Sequence, residues 1–296
     1  MGSPLGFVGL GDMGLPMVHR LVRAGHDVAV HDVRAEAVAD AVQAGATAAG
    51  SARNAAAGSE IVFTCLPTER AVRAVVLDPE TGLAAGMAPG SILVETSTVP
   101  VEFAREIADG LGRRGVAVLD APFLPASIED GAVTFLVGGA EATLERAREA
   151  LSGIGDRIVH LGPHGAGAAA KMAIQYAGIC NLVAAAEAAF LARALGVDLE
   201  RLVDLVSGTT ADSAVFGVAA DGVRRGARDV PEGGKLGILA KDIDMCVQAA
   251  REAGTSHGMA DASDAVFSEA LRRGWADRSF HAVFALLEHP GSPGKN

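Results

Sequence analysis

Cysteine is scarce and poorly spaced for pairing. Cys65, Cys180 and Cys246 are odd in number, far apart and form no C-x-x-C unit, which argues against a disulfide framework or zinc knuckle and suits a reducing, cytoplasmic setting. Positive charge is also in deficit: 25 basic against 36 acidic residues leave a net charge of -11. The basic stretches are mere pairs such as Arg113-Arg114, so neither nucleic acid nor an anionic membrane is the expected partner. Only Met1 to Pro4 precede the first apolar run, with no basic segment or separate apolar core, so no secretory signal is expected. The longest charge-free helical stretch, Met172 to Ala186, is short for a bilayer, contains Gln175, Tyr176 and Asn181, and reads as a buried helix. No G-x-S-x-G elbow or Cys-His arrangement supports a hydrolase. His160 and His164 flank Gly162-Pro163, which prevents a helix that would align both rings, so no metal site is expected.

What is present begins at residue 5. Leu5 to Val8 form a short apolar run, followed by Gly9, Gly11 and Gly14 in G-x-G-x-x-G spacing and a helical pattern from Leu15. This is how a dinucleotide-binding domain opens. The first glycine permits the tight turn, the second lets a pyrophosphate approach the backbone, and the third lets helix and strand pack closely, while the helix amides face the phosphates. Asp12 and Met13 lie inside that turn. A second apolar run ends at Asp32, 23 residues after Gly9, where a carboxylate can accept hydrogen bonds from an adenosine ribose. Asp32 favours NAD over NADP, and Arg34, a potential partner for a 2'-phosphate, keeps NADP as the alternative.

From Leu5 to about Leu161, short β-rich runs alternate with helical segments, the pattern of a parallel sheet covered on both faces. Strands are expected at 5–8, 28–31, 61–65, 92–95, 116–119, 134–137 and 158–161. Gly162-Pro163 then punctuates the chain and only helical patterns follow, the first running from Ala166 to Leu195 and another lying around Ser213 to Ala220. The expected fold is an α/β Rossmann domain at 1–163 followed by an all-α domain at 164–296, ending in a frayed tail at 289–296. The long Ala-rich helix needs partners on several sides, which points to a homodimer or homotetramer.

Lys171 sits on that helix among small and apolar side chains, and no Asp or Glu occurs between Asp156 and Glu187. Surface lysines usually have a polar helical face around them. Gly167 and Ala168, four and three residues back, would leave space above the helix, and Gln175 lies one turn on. Desolvation there would suit Lys171 to proton transfer; the alternative is a lysine snorkelling to the rim of the helix.

Together these residues resemble the β-hydroxyacid dehydrogenase family, which includes 3-hydroxyisobutyrate dehydrogenase and, more distantly, 6-phosphogluconate dehydrogenase. Gly6 to Met17 is similar to the family's N-terminal signature, Glu95-Thr-Ser-Thr-Val-Pro100 to its substrate-side strand end, Gly162 to Gln175 to its catalytic helix, and Lys241-Asp242 to its Lys-Asp pair. The resemblance implies hydride transfer between NAD(P) and a β-hydroxy acid or related small alcohol, with Lys171 as catalytic lysine. It implies that Ser97, Gln175 and Lys241 meet the substrate, that Lys241 also lies near the nicotinamide, and that Leu66, Pro67 and Thr98 border the cofactor. Ser97 has a second reading as a cap for the helix at Val101, Lys241 as a solvated helix position, and Pro67 as a strand terminator. Two departures border the substrate. Phe123-Leu124-Pro125-Ala126 replaces the family's Val-Ser-Gly-Gly, in a loop about two residues shorter, and Gln175 replaces an Asn. A Pro has no N–H to donate, and Leu124 substitutes apolar surface for a hydroxyl. An imine or carbonyl-analogue reductase of the same architecture, or a non-catalytic nucleotide sensor, are the alternative readings. Relatives of the first kind commonly replace the lysine.

Overall fold

The computed structural model describes residues 4–226 and 234–288; the tail read as frayed, 289–296, lies outside them. By its contacts the chain divides into two compact units, 1–171 and 172–296.

The first unit alternates strand and helix. Its elements are β1 Leu5–Val8, α1 Gly14–Arg23, β2 Val28–His31, α2 Ala35–Gln43, β3 Thr47–Ala48, α3 Ala52–Ala56, β4 Ile61–Thr64, α4 Glu69–Leu77, α5 Leu83–Gly86 and β5 Ile92–Glu95. They continue with α6 Val101–Gly112, β6 Ala117–Asp120, β7 Phe123–Ser127, β8 Ala132–Gly138, α7 Glu141–Ile154 and β9 Arg157–Gly162. The strand order β3-β2-β1-β4-β5-β6 is the parallel Rossmann order. Period-two alternation splits each strand between two cores, because successive side chains leave opposite faces of a sheet. Leu5, Phe7, Ile61, Phe63, Ile92 and Val94 pack with Met17 and Leu21 of α1 and Leu151 of α7. Val8, Val62, Leu93 and Val118 pack on the other side with Val72 of α4 and Phe103 and Ile107 of α6.

The expected parallel sheet holds through β6, and beyond it the sheet becomes mixed. β8 runs antiparallel to both β6 and β7, and β9 returns parallel to β8. The segment read as a loop at 123–126 is the edge strand β7, with Phe123 opposite Phe135 and Leu124 opposite Thr134. Pro125 obscured it, because proline punctuates a pattern. Here it lies beside a register shift on an edge strand, where a missing N–H is tolerated.

α8, Ala166–Ala194, begins in the first unit and carries the chain into the second. The second unit adds α9 Leu199–Val206, α10 Phe216–Arg224, α11 Leu236–Glu252, α12 Gly258–Arg272, a 3-10 turn Phe280–Val283 and α13 Phe284–Glu288. α10 starts later than the pattern around Ser213 suggested, because the preceding residues form turns. α11 packs on α12, and α10 packs on α9 and α13. Phe216, Ile243, Phe267 and Phe284 are buried. Of the most apolar 18-residue window of α8, 39% is buried within the chain, so the buried helix of the sequence reading keeps much of its surface uncovered.

Candidate active site

The glycine-rich turn joins β1 to α1 at the carboxyl ends of the parallel strands, where open α/β sheets bind ligands. Gly9 has φ +99°, and its N–H donates to the His31 carbonyl at 3.0 Å. A Cβ on Gly14 would overlap the Gly9 carbonyl oxygen and press on the Phe7 ring, so glycine is required for the close approach of helix to strand. Gly11 differs: a Cβ there would meet no atom within 4 Å, so its smallness leaves room beside the backbone. Asp12 and Met13 are exposed. Met13 occupies the N-cap position of α1 without a capping side chain, and the first turn holds no acid. The unspent amides and the positive end of the helix dipole suit an anionic group such as a pyrophosphate.

Asp32, at the end of β2, ties this turn from below. Its Oδ2 accepts from the Leu10 amide at 2.6 Å and its Oδ1 from the Arg34 amide at 2.8 Å. The Arg34 guanidinium spans both, with Nε 3.4 Å from Asp32 Oδ1 and Nη2 donating to the Leu10 carbonyl at 2.8 Å. Asp32 and Arg34 therefore form one clasp, and the positive group held beside the carboxylate is already partnered.

The ends of β4 and β5 bring Leu66 and Ser97 together. Ser97 Oγ accepts the Leu66 amide at 2.9 Å, while the Ser97 amide donates to Glu95 Oε1 at 2.8 Å. Pro100 holds the N-cap position of α6, so the reading of Ser97 as that cap is set aside. Thr98 is half-buried and Pro67 exposed beyond β4. Glu95 is 1% exposed, and burial raises its carboxyl above the usual range against the lowering pull of the Ser97 and Thr64 hydroxyls. Burial likewise pushes the Cys65 thiol up to about 12, which keeps it protonated and inert as a nucleophile.

Lys171 is 7% exposed, and its Nζ donates to the Phe123 carbonyl at 2.9 Å. That burial sets aside a lysine snorkelling to water. The space expected at Gly167 is not open: a Cβ there would overlap the Leu136 carbonyl oxygen and stand 2.6 Å from that of Asp120. Helix and sheet touch at that glycine. Phe123 and Leu124 are half-buried in β7, the Phe123 ring tilted against Phe135 at 6.1 Å. Sequence reasoning gave Asp120 no role, although this 2%-exposed acid accepts from the Gly165 amide at 2.8 Å and the Ala168 amide at 3.0 Å. The signal was the helix's own want of an acid.

In the second unit, Gln175 and Lys241 share a third residue. Gln175 Nε2 donates to Asp242 Oδ2 at 2.6 Å, and Lys241 Nζ lies 2.9 Å from Asp242 Oδ1. Asp242 is buried. Its acceptance of the Gln175 N–H fixes that amide, leaving Gln175 Oε1 on the opposite side as an acceptor. Lys241 is thus an ion-paired position and not a solvated one. Among the described residues no three His, Cys, Asp or Glu side chains gather as a metal cluster would need.

Residues 4–162 match the family model described as the NAD binding domain of 6-phosphogluconate dehydrogenase, and residues 165–287 that described as NAD-binding of NADP-dependent 3-hydroxyisobutyrate dehydrogenase. An NAD-dependent L-serine dehydrogenase of Pseudomonas aeruginosa is 34% identical over 291 residues, covering 96% of this chain and 97% of the relative. A 3-sulfolactaldehyde reductase of Escherichia coli is 30% identical over 285 residues, 95% of this chain and 94% of the relative. Among solved structures, Mycobacterium tuberculosis 3-hydroxyisobutyrate dehydrogenase with L-serine superposes with a TM-score of 0.86 at 29% identity, covering 98% of this chain and all of that one.

Proposed function

Because the chain belongs to the 3-hydroxyisobutyrate dehydrogenase family of NAD-dependent hydroxyacid oxidoreductases, we propose that it interconverts a small 3-hydroxy acid or related alcohol and its carbonyl form, with Lys171 as general acid and base. The observation that carries this reading is the place of Lys171: a buried ammonium, 2.9 Å from the Phe123 carbonyl, beside the carboxyl end of β6.

When bound, the nicotinamide cofactor supplies or accepts the hydride. The residues that would hold it are the Gly9 to Gly14 turn with Asp12 and Met13, the Asp32–Arg34 clasp, Leu66-Pro67, Thr98 and Lys241. The room at Gly11 and the uncapped start of α1 fit its pyrophosphate, and the carboxylate of Asp32 fits an unphosphorylated ribose. Because the Arg34 guanidinium is spent on Asp32 and Leu10, NAD is the preferred form and NADP the weaker one.

In oxidation Lys171 acts as the neutral amine, taking the hydroxyl proton to become the ammonium; in reduction the ammonium returns that proton to the carbonyl oxygen as negative charge builds there. The Phe123 carbonyl holds the ammonium in place until substrate replaces it. Ser97, its oxygen and amide fixed by Leu66 and Glu95, orients the substrate, a role the family resemblance also gives to Gln175 and Lys241, which in the second unit are both held by Asp242. With β7 in the ladder of β8 and Pro125 unable to donate, Phe123 serves the site through its carbonyl, its ring being packed on Phe135, while Leu124, on the opposite face of β7, offers apolar surface to the substrate.

The test is a panel of 3-hydroxy acids, L-serine, neutral alcohols and the matching aldehydes, each with NAD and NADP, read by the reduced-nicotinamide absorbance. Turnover is expected with NAD, and Lys171→Ala is expected to lower kcat by about 10²- to 10⁴-fold, the range for a lost general acid-base group. A Lys171→Ala protein that keeps its kcat would remove the proposed mechanism.

A further inference from the structure

α8 opens as Gly165-Ala-Gly-Ala-Ala-Ala-Lys171, and none of the residues before Lys171 has a side chain able to cap a helix. Its first amides nevertheless need acceptors, because a helix N-terminus has none of its own. In an ordinary capping box two side chains share that task, one accepting the N3 amide and the other the N-cap amide. Here one carboxylate does both from another element. Asp120, at the end of β6, accepts from Gly165 at the N-cap position with Oδ1 and from Ala168 at N3 with Oδ2.

The seat is built for that carboxylate. A Cβ on Gly138 would stand 2.5 and 2.7 Å from the two Asp120 oxygens and 2.9 Å from the Ala166 amide nitrogen. A Cβ on Gly167 would stand 3.0 Å from Oδ2. Both glycines are needed for the carboxylate to reach the helix. One turn beyond this clamp, Lys171 Nζ meets the Phe123 carbonyl, three residues after Asp120. The short segment 120–123 therefore grips α8 at its cap and at its lysine.

We infer that Asp120 is a positioning residue for the reaction, acting through the first turn of α8 to set where the Lys171 amine sits. This rests on the reading of Lys171 as the proton carrier. Asp120 donates no proton and touches no substrate; it holds the amine at the geometry from which a hydroxyl proton can be taken. Displacing a reacting group by about 1 Å can cost on the order of 10²-fold in rate, so a helix start that slips is visible in kcat.

Two variants attack the clamp from opposite sides. Asp120→Asn turns one acceptor into an N–H donor facing a helix amide, and Gly138→Ala leaves the carboxylate intact but intrudes on its seat. For each, kcat, KM, the pH profile of kcat/KM, NADH affinity by nucleotide fluorescence and the thermal midpoint are compared with the parent and with Lys171→Ala. The expected result is a fall in kcat on the order of 10²-fold in both, a displaced pH limb, and NADH affinity within about threefold of the parent. If Lys171→Ala is inactive while a folded Asp120→Asn or Gly138→Ala keeps the parent kcat and pH profile, the inference falls and the lysine mechanism stands. A loss of kcat matched by loss of NADH affinity at an unmoved pH limb also overturns it, since that reports general damage. If Lys171→Ala itself retains kcat, the underlying reading has failed first.

Discussion

At the scale of single residues, the three glycines of the β1–α1 turn make different demands. Gly14 is walled in by the Gly9 carbonyl and Phe7, whereas Gly11 faces open space. Gly14→Ala is therefore expected to destabilise the fold by about 1–3 kcal/mol through overpacking. Gly11→Ala should leave the melting temperature unchanged and weaken NADH binding by about tenfold or more, roughly 1.4 kcal/mol. Thermal unfolding and nucleotide titration on the two variants check this; equal effects on both properties would refute the division of labour. This contrast was legible in part, since the motif spacing alone separates turn, approach and packing. The clasp of Arg34 on Asp32 and Leu10 was not, because a sequence does not say which of several acceptors an arginine will choose. Asp120 was missed for a related reason: it is a buried acid whose partners are backbone amides more than forty residues on, which no local pattern announces, while Glu95 and Asp242 were named only inside their motifs and given no role of their own.

At the scale of elements, the strands and helices that repeat with a clean period were readable to within a residue or two. The exceptions carry proline, are short, or start late behind turns as α10 does. β7 hid behind Pro125, and β3, α3 and α5 are too brief to develop a period. α8 was readable in extent, but its environment was not: an Ala-rich helix has no polar face to tell buried from exposed sides. Its C-terminal turns leave Leu191 and Leu195, one turn apart on one face, 61% and 73% exposed. Apolar side chains so placed favour self-association, with a homodimer or homotetramer as the expected state. Sedimentation or light scattering should give a mass that is a multiple of 29.9 kDa, and Leu191→Lys with Leu195→Lys should lower it. A chain that is monomeric at micromolar concentration would contradict this expectation.

At the scale of the molecule, a buried carboxyl and a half-buried imidazole lie in different units and pull stability in opposite senses. Burial raises the Glu95 carboxyl above its ordinary 4.5 in the first unit. The folded chain thus keeps a proton that the unfolded chain releases, and this contribution is lost as pH rises from about 4.5 toward the raised value. Burial lowers the His281 imidazole below its ordinary 6.5 in the second unit, where it stacks on Phe280 and bonds Ser279. There the unfolded chain takes up a proton first, so stability is lost as pH falls below about 6.5. Hydrogen exchange read separately over β5 and over the segment around 281 should show these opposite slopes. Glu95→Gln is expected to flatten the first and leave the second, and slopes that respond together would mean the units do not open independently.

The borrowed cap of α8 bears on how such proteins can be recombined. Chimaeras spliced at the Gly162-Pro163 punctuation would join a sheet from one parent to a helix from another, although Asp120 and Gly138 lie upstream of that seam and Gly165 and Gly167 downstream. Breeding new specificities by exchanging C-terminal halves will work only between parents that share both sides of this join.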